Sequence, residues 1–224
     1  MSAWDRFLRD LLEQWPLIWA GLGQTVILAA VISVTGLLAG ILVFYLSISR
    51  SPWVRRVTQA YISFFIGMPL IVLLFLMYYG LPQWGVRVTP FWIAVVGFTL
   101  NIAAYNAGYM GTAYNGLDPA ELEAGRAQGF NDRQMFAFIT LPQVLRLSVP
   151  ALTNQVILNL KDTSVAFLIQ YTEFFARIQE LAATNFQFFK AYMLAAGVYL
   201  ALVSVIVVAA RWVERRVIMP GMLR

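Results

Sequence analysis

Charged residues are missing from four long stretches of this chain. Gln14 to Ser49, Val57 to Val86, Val88 to Leu117 and Ala191 to Ala210 hold no Asp, Glu, Lys or Arg. A helix crosses bilayer hydrocarbon with about 20 apolar residues, so every one of these runs is long enough. Backbone polar groups have no water to bond in that medium, and helices satisfy them within one segment. The chain is 60% hydrophobic and 12% charged, against about a quarter charged in soluble domains. The expected fold is all-α: a polytopic transmembrane helical bundle forming a single domain over residues 1–224. Five spans are expected, at about Gly23–Ile48, Ala60–Tyr79, Pro90–Tyr114, Leu147–Gln170 and Ala191–Ala210.

Residues 1–16 carry both signs of charge and lack the apolar core of a cleavable signal peptide. Trp4, Phe7, Leu8, Leu11 and Trp15 repeat at helical spacing, which predicts an amphipathic helix lying at the bilayer interface. Cysteine and histidine are both absent. No disulfide framework, usual zinc or haem site, or Ser-His-Asp triad is expected, and no metal site is assigned. The net charge is +5, but the basic residues sit at span ends and form no stripe for nucleic acid. With five spans, ten of them (Arg50, Arg55, Arg56, Arg126, Arg133, Arg146, Arg211, Arg215, Arg216 and Arg224) fall on one side. Arg6, Arg9, Arg87, Arg177 and Lys190 fall on the other. The Lys/Arg-rich side is the cytoplasmic one, so the N-terminus is expected outside and the C-terminus inside.

Residues 118–142 form the cytoplasmic loop between spans three and four, and they are polar. Asp118 and Pro119 suit an N-cap and first helical position. A short helix is predicted over Ala120–Gln128, with Glu121 where the dipole favours an anion and Gly129 as its left-handed stop. Asn131–Asp132 can cap a second helix, Arg133–Phe138, which Pro142 is expected to end by turning the chain back to the membrane. Nine helical residues are marginal in water, so this element either needs a partner surface or is a solvated connector.

The residues Glu123-Ala124-Gly125, then Gly129, then Ile139-Thr140-Leu141-Pro142 resemble the EAA loop of bacterial ABC-importer permeases. Gly125 stands where that pattern has its second alanine. LPQVLRLSVPALTNQVILNLKDTSVAF, GLGQTVILAAVIS and MPLIVLLFLMYYGLP resemble segments of the polar amino acid uptake branch, the histidine/glutamine-type permeases. The resemblance implies a type I ABC importer permease fold in the bacterial inner membrane. It implies a coupling helix docked on a cytosolic ABC ATPase dimer, through Glu121, Glu123, Ala124, Gly125, Arg126, Gly129 and Phe130. The implied partners are a second permease subunit, as heterodimer or homodimer, and a periplasmic solute-binding protein that delivers a polar amino acid or related small zwitterion. The chain itself is expected to bind no cofactor and catalyse nothing. It has no phosphate-binding loop, so ATP and Mg belong to the ATPase.

Lys161 and Asp162 are the charges inside a predicted span, where ionisable groups normally face a wet cavity or a partner. They lie about 100° apart on a helix, so they either receive the opposite ends of a zwitterion or pair with other spans. Asn154, Asn159, Thr163 and Ser164 make span four polar, and Asn101 and Tyr105 add to it from span three. These eight residues are the candidate substrate path; polar residues also join helices without touching substrate. Gly36 and Gly40 form a G-x-x-x-G pattern. Against the family pattern, Ile66, Gly108 and Gly111 stand where charged residues are usual, which points to a heterodimer whose partner half does more of the recognition. Tyr171–Phe189 suits an external gate, a docking surface or a connector. The rival readings are a stand-alone channel or ion-coupled carrier, and an intramembrane enzyme using Asp162 or Glu173.

Overall fold

The computed structural model describes residues 3–217; Met1, Ser2 and residues 218–224, with Arg224 of the sidedness count, lie outside the described residues. The helices are α1 (Ala3–Ser47), α2 (Pro52–Gly67), α3 (Leu70–Gly80), α4 (Pro90–Asn115), α5 (Pro119–Ala127), α6 (Asp132–Gln134), α7 (Leu141–Asp162), α8 (Phe174–Asn185) and α9 (Phe188–Val217). There is no strand among the described residues. Four helical stretches are long and apolar enough to cross a bilayer, or five if the bent pair α2–α3 is one crossing. By internal contacts the chain forms two compact units. Of the described residues, one comprises 3–34, Pro69–Phe98 and Val156–Val207; the other comprises Thr35–Met68, Thr99–Gln155 and 208–217.

Three features depart from the expected spans, each for a backbone reason. The N-terminal segment is helical but is not a separate element, because α1 runs unbroken through Pro16. Only part of its apolar face stays bare. Trp4 and Leu8 are exposed, whereas Phe7 is buried and Leu11 packs beside it. The second span is broken: Met68 and Pro69 adopt extended backbone (ψ 128° and 130°), as the ring of a proline imposes on the residue before it. The fourth starts earlier than Leu147, because helical structure runs from Asp132 through a π-helical stretch, Met135–Thr140, into α7. Pro142 therefore does not turn the chain. Proline lacks an N–H and collides with the carbonyl four residues back, and the wider π register immediately before it accommodates both.

In the first unit, Phe7 and Ile18 of α1 pack on Phe174, Ile178, Leu181 and Ala182 of α8 and Ala191 and Ala195 of α9. Gly97 of α4 lets Leu74 of α3 approach, where an added Cβ would meet its Cδ2 at 2.6 Å. In the second unit, Phe44, Ile62, Ala107, Met110 and Val144 form the core. The G-x-x-x-G pattern is a packing device there. A Cβ on Gly36 would collide with Ile102, and one on Gly40 would sit 2.7 Å from the Asn106 Cβ. That close approach lets the Asn106 Nδ2 donate to the Gly36 carbonyl (3.2 Å), beside a Thr35–Thr99 hydroxyl pair at 2.6 Å. Small residues serve the same purpose wherever membrane helices touch closely. Val34, Leu38 and Leu42 of α1, and Leu200, Val205 and Val208 of α9, remain exposed, as surfaces meant for lipid or protein rather than water.

Candidate functional site

The polar loop lies wholly within the second unit and is more regular than its charge content suggests. The Asp118 carboxylate accepts from the Ala120 N–H at 2.9 Å, capping α5, with Pro119 at its first position. At the far end the Phe130 N–H donates to the Gly125 carbonyl (3.3 Å) and the Gly129 N–H to the Arg126 carbonyl (2.9 Å). Those two bonds, with Gly129 at φ +81°, make a complete Schellman stop. Asn131 and Gln134 then exchange side-chain and backbone bonds in a capping box that starts α6. So a nine-residue helix whose length alone makes it marginal is closed at both ends, and the chain restarts one residue after the stop.

Glu121, Glu123, Ala124, Arg126 and Gly129 are exposed along this element, and Phe130 is half-buried. Gly125 differs from the expected contact set, because it is buried within the unit. An added Cβ would run into the Ile139 side chain and stand 2.7 Å from the Met135 Sδ. The glycine in the second-alanine position is therefore where α5 presses on the following helix, not part of the outward face. Phe136 packs against Phe44 and Tyr45 of α1, with ring centroids 5.9 and 4.7 Å apart. Arg50, just after α1, forms an ion pair with Asp132. A cleft of about 240 Å³ opens at this junction, lined by Tyr45, Arg50, Tyr114, Arg126 and Asp132 among others.

The candidate substrate-path residues divide between the two units. In the second, the Asn101 Nδ2 donates to the Phe65 carbonyl at 2.8 Å, and the Tyr105 ring lies tilted against that of Tyr109, with centroids 6.5 Å apart. Asn154 is exposed. In the first, the Asn159 Nδ2 donates to the Ser33 hydroxyl (3.1 Å), Thr163 to the Leu160 carbonyl and Ser164 to the Lys161 carbonyl. Asn101 and Asn159 thus each bond a distant segment, a structural role that polar groups between membrane helices often take, whereas Thr163 and Ser164 bond back to their own helical turn. Lys161 and Asp162 are both exposed, at the end of α7 where the chain tightens into a 3₁₀ stretch, Thr163–Ile169. Among the described residues no ion pair joins them.

One group, Tyr109, escaped the sequence reading, and another, Glu173, was named there without its surroundings. Tyr109 donates to Gln155 at 3.3 Å and, with Thr112 and Ser148, lines a cleft of about 370 Å³; its signal was the four-residue spacing from Tyr105. Glu173 is fully buried. It caps α8 by accepting from the Ala176 N–H, and it also accepts from the hydroxyls of Thr25 (2.8 Å) and Tyr199 (3.3 Å). Burial pushes its carboxyl above the ordinary range, against the opposing pull of these hydrogen bonds. Burial also raises the nearby Tyr171 phenol to about 12, helped by the Glu173 charge.

Taken together, these features describe a multi-pass, all-helical membrane protein that projects a capped polar helix from one loop. The chain belongs to the family of binding-protein-dependent transport system inner membrane components, whose family model matches residues 32–219. It is 35% identical to a probable amino-acid ABC transporter permease protein, PatM, of Vibrio harveyi, across 92% of this chain and 94% of that one. It is 31% identical to the L-cystine transport system permease protein TcyB of Bacillus subtilis, across 92% and 90%. The crystal structure of an amino acid ABC transporter with histidines superposes with a TM-score of 0.84 at 26% identity, over 94% of this chain and 98% of that one. The methionine ABC transporter MetNI in an inward-facing form shares the fold, with a TM-score of 0.78 at 20% identity over 98% of this chain and 100% of that one. Membership sets aside the channel, carrier and intramembrane-enzyme readings; the family consists of transport components.

Proposed function

We propose that this chain is the membrane-spanning half of an ATP-driven importer for a polar amino acid or a related small zwitterion. The cargo class rests on the amino-acid permeases it resembles in sequence. A periplasmic binding protein delivers the cargo, and a cytosolic ATPase dimer drives the cycle. Five crossings, N-terminus outside and C-terminus inside, in a bacterial inner membrane, bring residues 118–142 to the ATPase. The observation that carries the reading is the doubly capped α5, with Glu121, Glu123, Ala124 and Arg126 exposed. A short helix with fixed ends transmits displacement, and charge complementarity along it selects the partner, because like charges brought together across an interface cost several kcal/mol. ATP binding then biases inward- and outward-open forms by its differential affinity for them. Glu123→Lys is expected to abolish co-purification of the ATPase while leaving membrane insertion intact. Undiminished association would refute the docking assignment.

The partner half is a different permease chain. Ile66 is exposed, and a Cβ at Gly108 or Gly111 would meet nothing within 4 Å. Packing within this chain thus does not require small or apolar residues where the family pattern carries charge, which supports recognition residing in the second chain. Lys161 and Asp162, exposed on this chain, face the shared path. Import of a panel of radiolabelled amino acids by this chain alone with its ATPase and binding protein, as a homodimer, would overturn the heterodimer.

A further inference from the structure

The coupling loop is fastened to α1 as well as to α7, which follows it in sequence. We infer that Arg50 and Asp132 are a positioning pair that makes the inner end of α1 and the coupling loop move as one body. The inference rests on the docking role proposed for α5. Three contacts in series support it, all within the second unit. Gly125 of α5 is pressed against Met135 and Ile139, so α5 cannot shift without the helix after it. Phe136 of that helix is held between Phe44 and Tyr45 of α1. Arg50 Nη2 then donates to Asp132 Oδ1 across 82 residues of sequence, closing the circuit from the end of α1 to the first residue of α6.

The pair's exposure shows what it is for. The side chains are 78% and 58% accessible, and an exposed ion pair contributes little stability because water screens it. Its contribution is geometric. The aromatic contacts hold Phe136 at one point of α1, and the bond from the α1–α2 turn to the start of α6 adds a second point, which resists rotation about the first. Asp132 is the first residue of α6, so the bond acts where the helical run into α7 begins. Displacement driven at α5 therefore enters the membrane through α1 as well as α7.

The test uses the complete transporter in proteoliposomes and reads amino acids imported per ATP hydrolysed. Arg50→Asp and Asp132→Arg are each expected to lower that ratio about 2- to 30-fold, the range for side chains that link coupled sites. Thermal stability should stay unchanged, and the double exchange Arg50→Asp/Asp132→Arg should restore the ratio. A wild-type ratio in either single variant, or a double exchange no better than the singles, would overturn the pair's role. A second arm exploits the absence of cysteine from the chain: Arg50→Cys/Asp132→Cys joined by a short bis-maleimide should keep importing, since the two ends never part. Loss of import on cross-linking would also overturn it. Failure of the docking reading shows separately, as ATPase retained by Glu123→Lys.

Discussion

Gly129 offers a perturbation whose size follows from two separate observations. Its φ is +81°, in the left-handed region, and a Cβ built on it meets nothing within 4 Å. Space is therefore not the constraint, and the cost of a side chain is purely one of backbone conformation. For an L-residue that cost is about 1–2 kcal/mol. The reduced freedom of the unfolded chain returns about 0.4–1 kcal/mol, leaving about 1 kcal/mol against the Schellman stop in Gly129→Ala. At 1.4 kcal/mol per tenfold, the opening equilibrium of the end of α5 should rise about fivefold. Hydrogen exchange measures this at the Gly129 and Phe130 amides, whose bonds to Arg126 and Gly125 close the stop. Gly129→Asn should lie closer to the wild type, because asparagine tolerates the left-handed region, and Gly129→Val should exceed Gly129→Ala. Equal exchange in all four proteins, or Asn opening more than Val, would refute the argument.

Other substitutions test the packing and the buried carboxylate. Gly40→Leu drives a side chain into Asn106 and should cost about 1–3 kcal/mol, as overpacking does. Gly197→Ala, where nothing lies within 4 Å, is the control, and equal melting temperatures in detergent would contradict the α1–α4 contact. Glu173 has its carboxyl raised by burial, so its protonated form suits the fold. Its stabilising contribution is full below its unfolded value and fades as pH rises through the higher folded one. Glu173→Gln should therefore gain in melting temperature relative to the wild type as pH is raised from acid toward neutrality, and parallel curves would count against this. Gly125→Leu should raise hydrogen exchange in 135–140, where Met135 and Ile139 must give way; unchanged exchange there would contradict the contact.

Much of this architecture is legible from residue pattern because bilayer solvation is demanding. α4 (Pro90–Asn115) appears where the uncharged run placed a span at about Pro90–Tyr114. α5 and its stop follow from Asp118, Pro119 and Gly129, since capping is local chemistry. Proline misled twice, in opposite senses. Pro69 broke a run read as continuous, and Pro142 sat in a helix it was expected to end, because a π-helical register could absorb it. Periodicity does not report such a register. Asn101 and Asn159 were read as path residues, and each also bonds a carbonyl or hydroxyl of a distant segment, a partner that residue pattern does not report. Glu173 was read as part of an external gate, docking surface or connector, or as a residue of a rival intramembrane enzyme. Its cap at Ala176 is local, but its bonds to Thr25 and Tyr199 arise only in the tertiary structure.

The central claim is that α5 is the point where ATP-driven motion enters this chain, and a cryo-electron microscopy structure of the assembled transporter tests it most directly. The account predicts residues 119–130 seated in a groove of the ATPase, with Glu121, Glu123, Ala124 and Arg126 covered and Gly125 still against Met135. An ATPase bound to any other surface, with that helix left in solvent, would contradict it.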